Sequence, residues 1–208
     1  YNGAYFTDGS RFGGERSDYI YPLYGFRGEP LTADYPKDHL HHRSLWWSWC
    51  EVRHNGKIGD IWAVCKIRAY PVKIAKRETG TGSAILQAVN VWRYDDDPAE
   101  VVKETVTIQA HRTEGVEGAR SRAVDVDVRL EALVDGMAIT GRQVVDYGGY
   151  GGMSVRMHPQ VQDFSIRAVH PNPDKWRGDN LAIVQRVTDS GAFGTAAVGA
   201  SRAVVDAG

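Results

Sequence analysis

At 208 residues, 42% of them hydrophobic and 25% charged, the chain has a globular composition and length enough to bury roughly 70% of its unfolded surface. A formal net charge of −1 points to neither nucleic acid nor an anionic membrane as a partner. No apolar run approaches the ~20 residues that span a bilayer, so membrane insertion is not expected.

The chain begins at Tyr1 rather than at a methionine, so any export signal is expected to have been removed. It ends on "SRAVVDAG", just past an apolar segment with no evident stop, which predicts further protein beyond it. Neither an internal repeat nor a low-complexity linker divides it. Residues 1–208 therefore read as a single domain, truncated at the C-terminus.

The first dense stretch is "DYPKDHLHHRSLWWSWCEV", residues 34–52, which holds three of the seven histidines, His39, His41 and His42. On a strand, His39 and His41 would share a face about 6–7 Å apart, close enough to ligate one ion at ~2.0–2.1 Å. His42 would face the other way unless the segment is a loop, which Pro36 favours. Glu51, Glu104, His111, His158 and His170 are available as a third ligand. Zn, Mn or Ca is the divalent cofactor this would imply. The competing reading is metal-free acid/base chemistry, because imidazole titrates near neutrality. The plainest reading is an aromatic core with polar neighbours. Asp38 and Arg43 beside the histidines favour a functional site, since titratable groups gather where pKa values are tuned. Trp47 and Trp49 share one strand face and Trp46 the other. One or two of them are candidate platforms for a sugar ring, whereas Trp62 and Trp92 read as core.

Cys50 and Cys65 flank "EVRHNGKIGDIWAV", in which Asn55-Gly56 signals a turn. If the arms pair about Lys57 and Ile58 the cysteines face each other, and a disulfide is within reach in an oxidising compartment. Two buried thiols are the alternative.

Residues 59–78 predict one long strand, or two broken at Pro71. Residues 82–94 and 100–112 are rich in β-branched and aromatic residues and, joined by "DDDPAE", predict a hairpin. "RAVDVDVRLEAL" (122–133) alternates cleanly, with Val124, Val126, Val128 and Leu130 on one face. Residues 136–147 give a further strand. "GGYGG" follows, where glycines permit backbone that other residues resist, and short strands close the chain. No segment of twelve residues carries a helical stripe. The fold class is all-β, an antiparallel double-sheet β-sandwich, of which a mutarotase-like supersandwich is one form. "DDDP" reads as a solvated turn. No Walker lysine follows "GGYGG", and no nucleophile elbow is present.

The stretch "YPLYGFRGEPLTADYPKDHLHHRSLWWSW" resembles the signature of the PmoA-like family of bacterial proteins. That pattern runs Tyr-Pro-Leu, then Leu-Thr, then Asp-His-Pro-His-His-Arg/His-Gly. Asp38, His39, His41, His42 and Arg43 match it, while Leu40 stands for the proline and Ser44 for the glycine. "ETVTIQ" is similar to the family's glutamate-led strand, which marks Glu104, and "GGYGGMSVRM" to a segment that marks Arg156. The resemblance covers residues 19–157. It implies a secreted or periplasmic β-sandwich from polysaccharide-degrading bacteria, and hence a saccharide as the partner. The methane-oxidising activity in the family's name is not expected of a chain without a membrane span.

With the resemblance, the residues point to a carbohydrate-active hydrolase, lyase or epimerase. His39, His41, His42 and Glu104 are its candidate catalytic groups. Asp38, Arg43, Trp47, Trp49 and Arg156 would bind substrate, and His39 and His41 would hold a metal in the metal-assisted form. A non-catalytic carbohydrate-binding module using exposed tryptophans is the alternative. A purely structural role leaves the histidines unexplained.

Overall fold

The structure is a computed structural model that describes residues 16–116, 120–141 and 151–161, with the backbone of 195–198. The chain is all-β, and its paired strands run antiparallel in three sheets. Among the described residues, no helix is long and apolar enough to cross a membrane. The described residues fall into two compact units, one made of residues 16–67 with 138–141, 151–161 and 195–198, the other of those within 68–137.

The first unit holds two sheets. β1 (Tyr19–Ile20), β2 (Leu45–Trp49), β10 (Gly151–Arg156) and β11 (Thr195–Val198) lie side by side in that order. β2 and β10 pair from Gly151 opposite Trp49 to Val155 opposite Leu45. Because side chains alternate across a strand, this register puts Trp46 and Ser48 on the same face as Gly152 and Ser154. Gly152, directly opposite Ser48, has φ +87, a backbone that glycine adopts without steric cost. Tyr19, Trp46, Cys50 and Trp62 form a buried apolar cluster on this scaffold.

The second sheet orders β4 (Lys57–Gly59), β3 (Glu51–His54) and β9 (Ala138–Thr140). β3 and β4 form the hairpin that Asn55-Gly56 signals. Both turn residues have positive φ, +46 and +76, as a two-residue type I′ turn requires. The hairpin is centred there and not at Lys57–Ile58, with His54 opposite Lys57 and Val52 opposite Gly59. That two-residue difference separates the cysteines: Cys65 exchanges backbone hydrogen bonds with Asp60 (2.7 and 2.8 Å) instead of meeting Cys50. Neither cysteine is in a disulfide; Cys50 is buried and Cys65 exposed. A thiol reagent is therefore expected to label one cysteine per folded chain and two after denaturation. Labelling of both at equal rates in the folded protein would refute this placement.

The second unit is a four-stranded meander of β5 (Ile67–Thr79), β6 (Ser83–Tyr94), β7 (Val102–His111) and β8 (Val124–Ala132). The predicted 82–94/100–112 hairpin is present, running from Ser83 opposite His111 to Trp92 opposite Val102. β5 passes through Pro71 unbroken. It lies at the sheet edge, where a missing N–H costs no ladder bond.

Candidate functional site

The three histidines lie on a loop. Pro36 starts a turn that His39 N closes onto the Pro36 carbonyl (3.0 Å), and His42 N closes the next onto the His39 carbonyl (2.9 Å). Two tight turns in seven residues bring the imidazoles together, which a strand could not do for three consecutive-face residues. His39 and His42 stack at 4.5 Å between ring centroids and 17° between planes. His41 meets His42 edge-on at 4.6 Å and lies 5.9 Å from His39. Beneath them, His42 packs on Trp46 at 5.3 Å and Trp46 on Trp62 at 5.1 Å.

A charged line crosses this cluster. From β10, Arg156 donates through Nη2 to Asp38 Oδ2 (2.6 Å), and His39 Nδ1 lies 2.9 Å from the same oxygen. The Arg156 side chain is buried, while Asp38 and His39 reach solvent at 35% and 50% exposure. Burial alone would raise the Asp38 carboxyl, but hydrogen bonds from His39 and Arg156, together with the guanidinium charge, bring it down to about 2. An ionised Asp38 only accepts, so His39 carries a proton on Nδ1, which leaves Nε2 as the acceptor of its neutral form.

His42 is the opposite case. Burial, then the neighbouring His41 and His39, and then the charge of Arg156 push it down to about 2, so its ring is neutral. Arg156 Nη1 lies 3.4 Å from His42 Nδ1. A guanidinium can only donate, which assigns the His42 proton to Nε2. Two stacked imidazoles thus differ: His39 is exposed and bonded to a carboxylate, while His42 is buried and neutral.

The other candidates have partners of their own. Arg43 is 1% exposed; its Nη1 reaches both Asp34 oxygens (3.1 and 3.2 Å), and its guanidinium lies 5.2 Å from the Tyr19 and Tyr35 rings. That is a structural ion pair, and the expectation that Arg43 holds substrate is corrected accordingly. Arg156 likewise acts through Asp38 rather than presenting itself to solvent. Trp47 is 1% exposed, which removes it as a sugar platform, and Trp49 is half-buried. Glu104 belongs to the second unit, where it is fully buried opposite Asn90; it accepts from Asn90 Nδ2 (2.7 Å) and Trp92 Nε1 (3.0 Å). Glu51 pairs with Arg53, and His111 with Asp125 (2.7 Å). His170 lies outside the described residues.

A metal at His39 and His41 was the other expectation. Among the described residues, no three His, Cys, Asp or Glu side chains are arranged to hold one ion. Asp38 Oδ2, the carboxylate oxygen beside His39, is already shared by Arg156 and His39.

Sequence reasoning missed two features. Asp34 lies nine residues from Arg43 without a motif to mark it. The exposed aromatic residues at 21–26 sat inside the recognised signature, overshadowed by the tryptophans.

A family model described as a family of unknown function, DUF6807, matches residues 5–203. The chain belongs to this DUF6807 family. No curated protein and no solved structure gives a significant match. The DUF6807 match spans the loop carrying the three histidines and the strand carrying Arg156, and it brings no activity with it.

Proposed function

We propose that this DUF6807 protein is a carbohydrate-active enzyme in which His39 is the general acid/base. The observation that supports it most directly is the Arg156–Asp38–His39 line. A buried cation fixes a carboxylate, the carboxylate sets which imidazole nitrogen carries the proton, and that imidazole side chain is 50% exposed. This is how an enzyme orients a base: the third group holds the second, and the second sets which nitrogen carries the proton.

In this reading His39 Nε2 takes a proton from a sugar hydroxyl or from a carbon beside a carbonyl, then returns it to the product. Such chemistry fits epimerisation or lyase-type elimination, in which one group removes a proton and returns it. The saccharide substrate and an extracytoplasmic location come with the PmoA-like resemblance at residues 38–43. The binding-module alternative in its tryptophan form is weakened by the burial of Trp47.

The test is turnover on a panel of oligosaccharides, compared between the wild type and His39→Asn. His39→Asn is expected to lower kcat by about 10²–10⁴-fold, the range that a positioned acid/base supplies. Asp38→Asn should lower it less, since it disturbs the tautomer and leaves the ring in place. Undiminished turnover by His39→Asn sinks the proposal.

A further inference from the structure

We propose that the buried face of β2 and β10 contains an internal water-binding site, formed by the hydroxyls of Ser48 and Ser154 beside Gly152. It stands independently of the catalytic reading above.

Ser48, Ser154 and Trp46 are each 0% exposed. Their polar atoms Ser48 Oγ, Ser154 Oγ and Trp46 Nε1 are buried, and among the described residues none of the three has a hydrogen-bond partner. Buried polar groups in proteins are nearly always bonded, and leaving one unbonded costs more than a made bond gains. Three such atoms on one face of one strand pair call for a shared partner.

The register brings them together. Ser154 lies directly opposite Trp46, and Gly152 directly opposite Ser48. Ser48 and Ser154 are thus diagonal neighbours on one face, with Cβ atoms roughly 7 Å apart. Two hydroxyls at that separation do not bond each other, whereas a water making two hydrogen bonds of about 2.8 Å each spans the gap. Gly152 supplies the room. It is buried next to both serines on this face and carries no side chain.

The chemistry suits water. The face continues into the cluster of Tyr19, Trp46, Cys50 and Trp62, where the neighbours are aromatic rings and a thiol instead of amides or carboxylates. A serine hydroxyl both donates and accepts, while an indole N–H only donates. One water can accept from Trp46 and bond each serine, which gives it the about three hydrogen bonds usual for buried water. All three groups are neutral, which favours water over an ion. Trp46 also carries His42, at 5.3 Å between ring centroids, so the water helps to fix the ring on which the histidine loop rests.

The test is a high-resolution crystal structure of the wild type, together with urea unfolding of Ser48→Ala, Ser154→Ala and the double variant. The expected result is an ordered water within hydrogen-bonding distance of both Ser48 Oγ and Ser154 Oγ. Each single variant should then lower the urea midpoint, because the water loses a partner, and the second substitution should lower it less than the first once the water is gone. Serines that bond protein groups directly, with no water between them, overturn the proposal. So do alanine variants that raise the midpoint independently of each other, the result for a dry site relieved of an unbonded hydroxyl. If an alanine variant does not fold, the wild-type structure decides by itself.

Discussion

Arg43→Met is expected to destabilise the protein by about 3–5 kcal/mol, the cost of removing one partner from a buried ion pair. The Arg43 side chain is 1% exposed and its partner Asp34 12%, so the substitution leaves a carboxylate with little water and without its ion-pair partner. It also empties the space beside the Tyr19 and Tyr35 rings, each 5.2 Å from the guanidinium. Such a loss is a large part of the ~5–15 kcal/mol that holds a typical domain together. Arg43→Lys should recover only part of it, because an ammonium cannot lie flat beside two rings. Arg43→Met/Asp34→Asn should cost less than the single change, since the stranded charge is gone. Urea unfolding measures all three. A loss under 1 kcal/mol for Arg43→Met would mean that the pair is solvated and that Arg43 is available to a ligand after all.

Acid should weaken the fold earlier than its carboxylates alone predict, and His42 is the reason. Its ordinary value is 6.5 and the folded value about 2. Between those limits the unfolded chain binds a proton that the folded chain refuses, so stability falls as pH falls through this window. It is complete above about pH 6.5. One proton corresponds to about 1.4 kcal/mol per pH unit, hence about 3 kcal/mol lost by about pH 4.5. Asp38, also lowered to about 2 but from 3.8, adds a second loss of the same sign that begins only below its ordinary value. His42→Gln keeps a neutral polar group there and cannot take up the proton. It is expected to be less stable at neutral pH through the lost contact with Trp46, and to show a flatter profile between pH 6.5 and 4.5. Urea midpoints across that range decide it: equal slopes for the two proteins would show that His42 titrates freely in the fold.

Much of the architecture was legible one segment at a time. The alternation in residues 122–133, the β-branched runs flanking "DDDPAE" and the Asn55-Gly56 turn are local signals, and each specifies β8, the β6–β7 hairpin and the β3–β4 turn without help from elsewhere. Errors came where local chemistry was indifferent. Pro71 is compatible with a break or with an edge, and only the position of β5 in its sheet selects the edge. Whether the two cysteines face each other was left open by the sequence, because a two-residue change of turn centre moves every partner.

The candidate site divides in the same way. The sequence alone marked residues 38–43, because so many titratable side chains in six positions are unusual wherever they fall. It could not assign their roles, which depend on partners far along the chain. Arg156 lies 118 residues from Asp38, and the β2–β10 register brings them within 2.6 Å. The neutrality of His42 follows from its burial beside Trp46 and Arg156, and the structural role of Arg43 from its burial with Asp34. Strand period and turn type are set by neighbours within a few residues and can be read from them. Protonation state, tautomer and exposure are set by the whole local environment, so only the tertiary structure decided which histidine meets solvent and which aromatic rings remain outside.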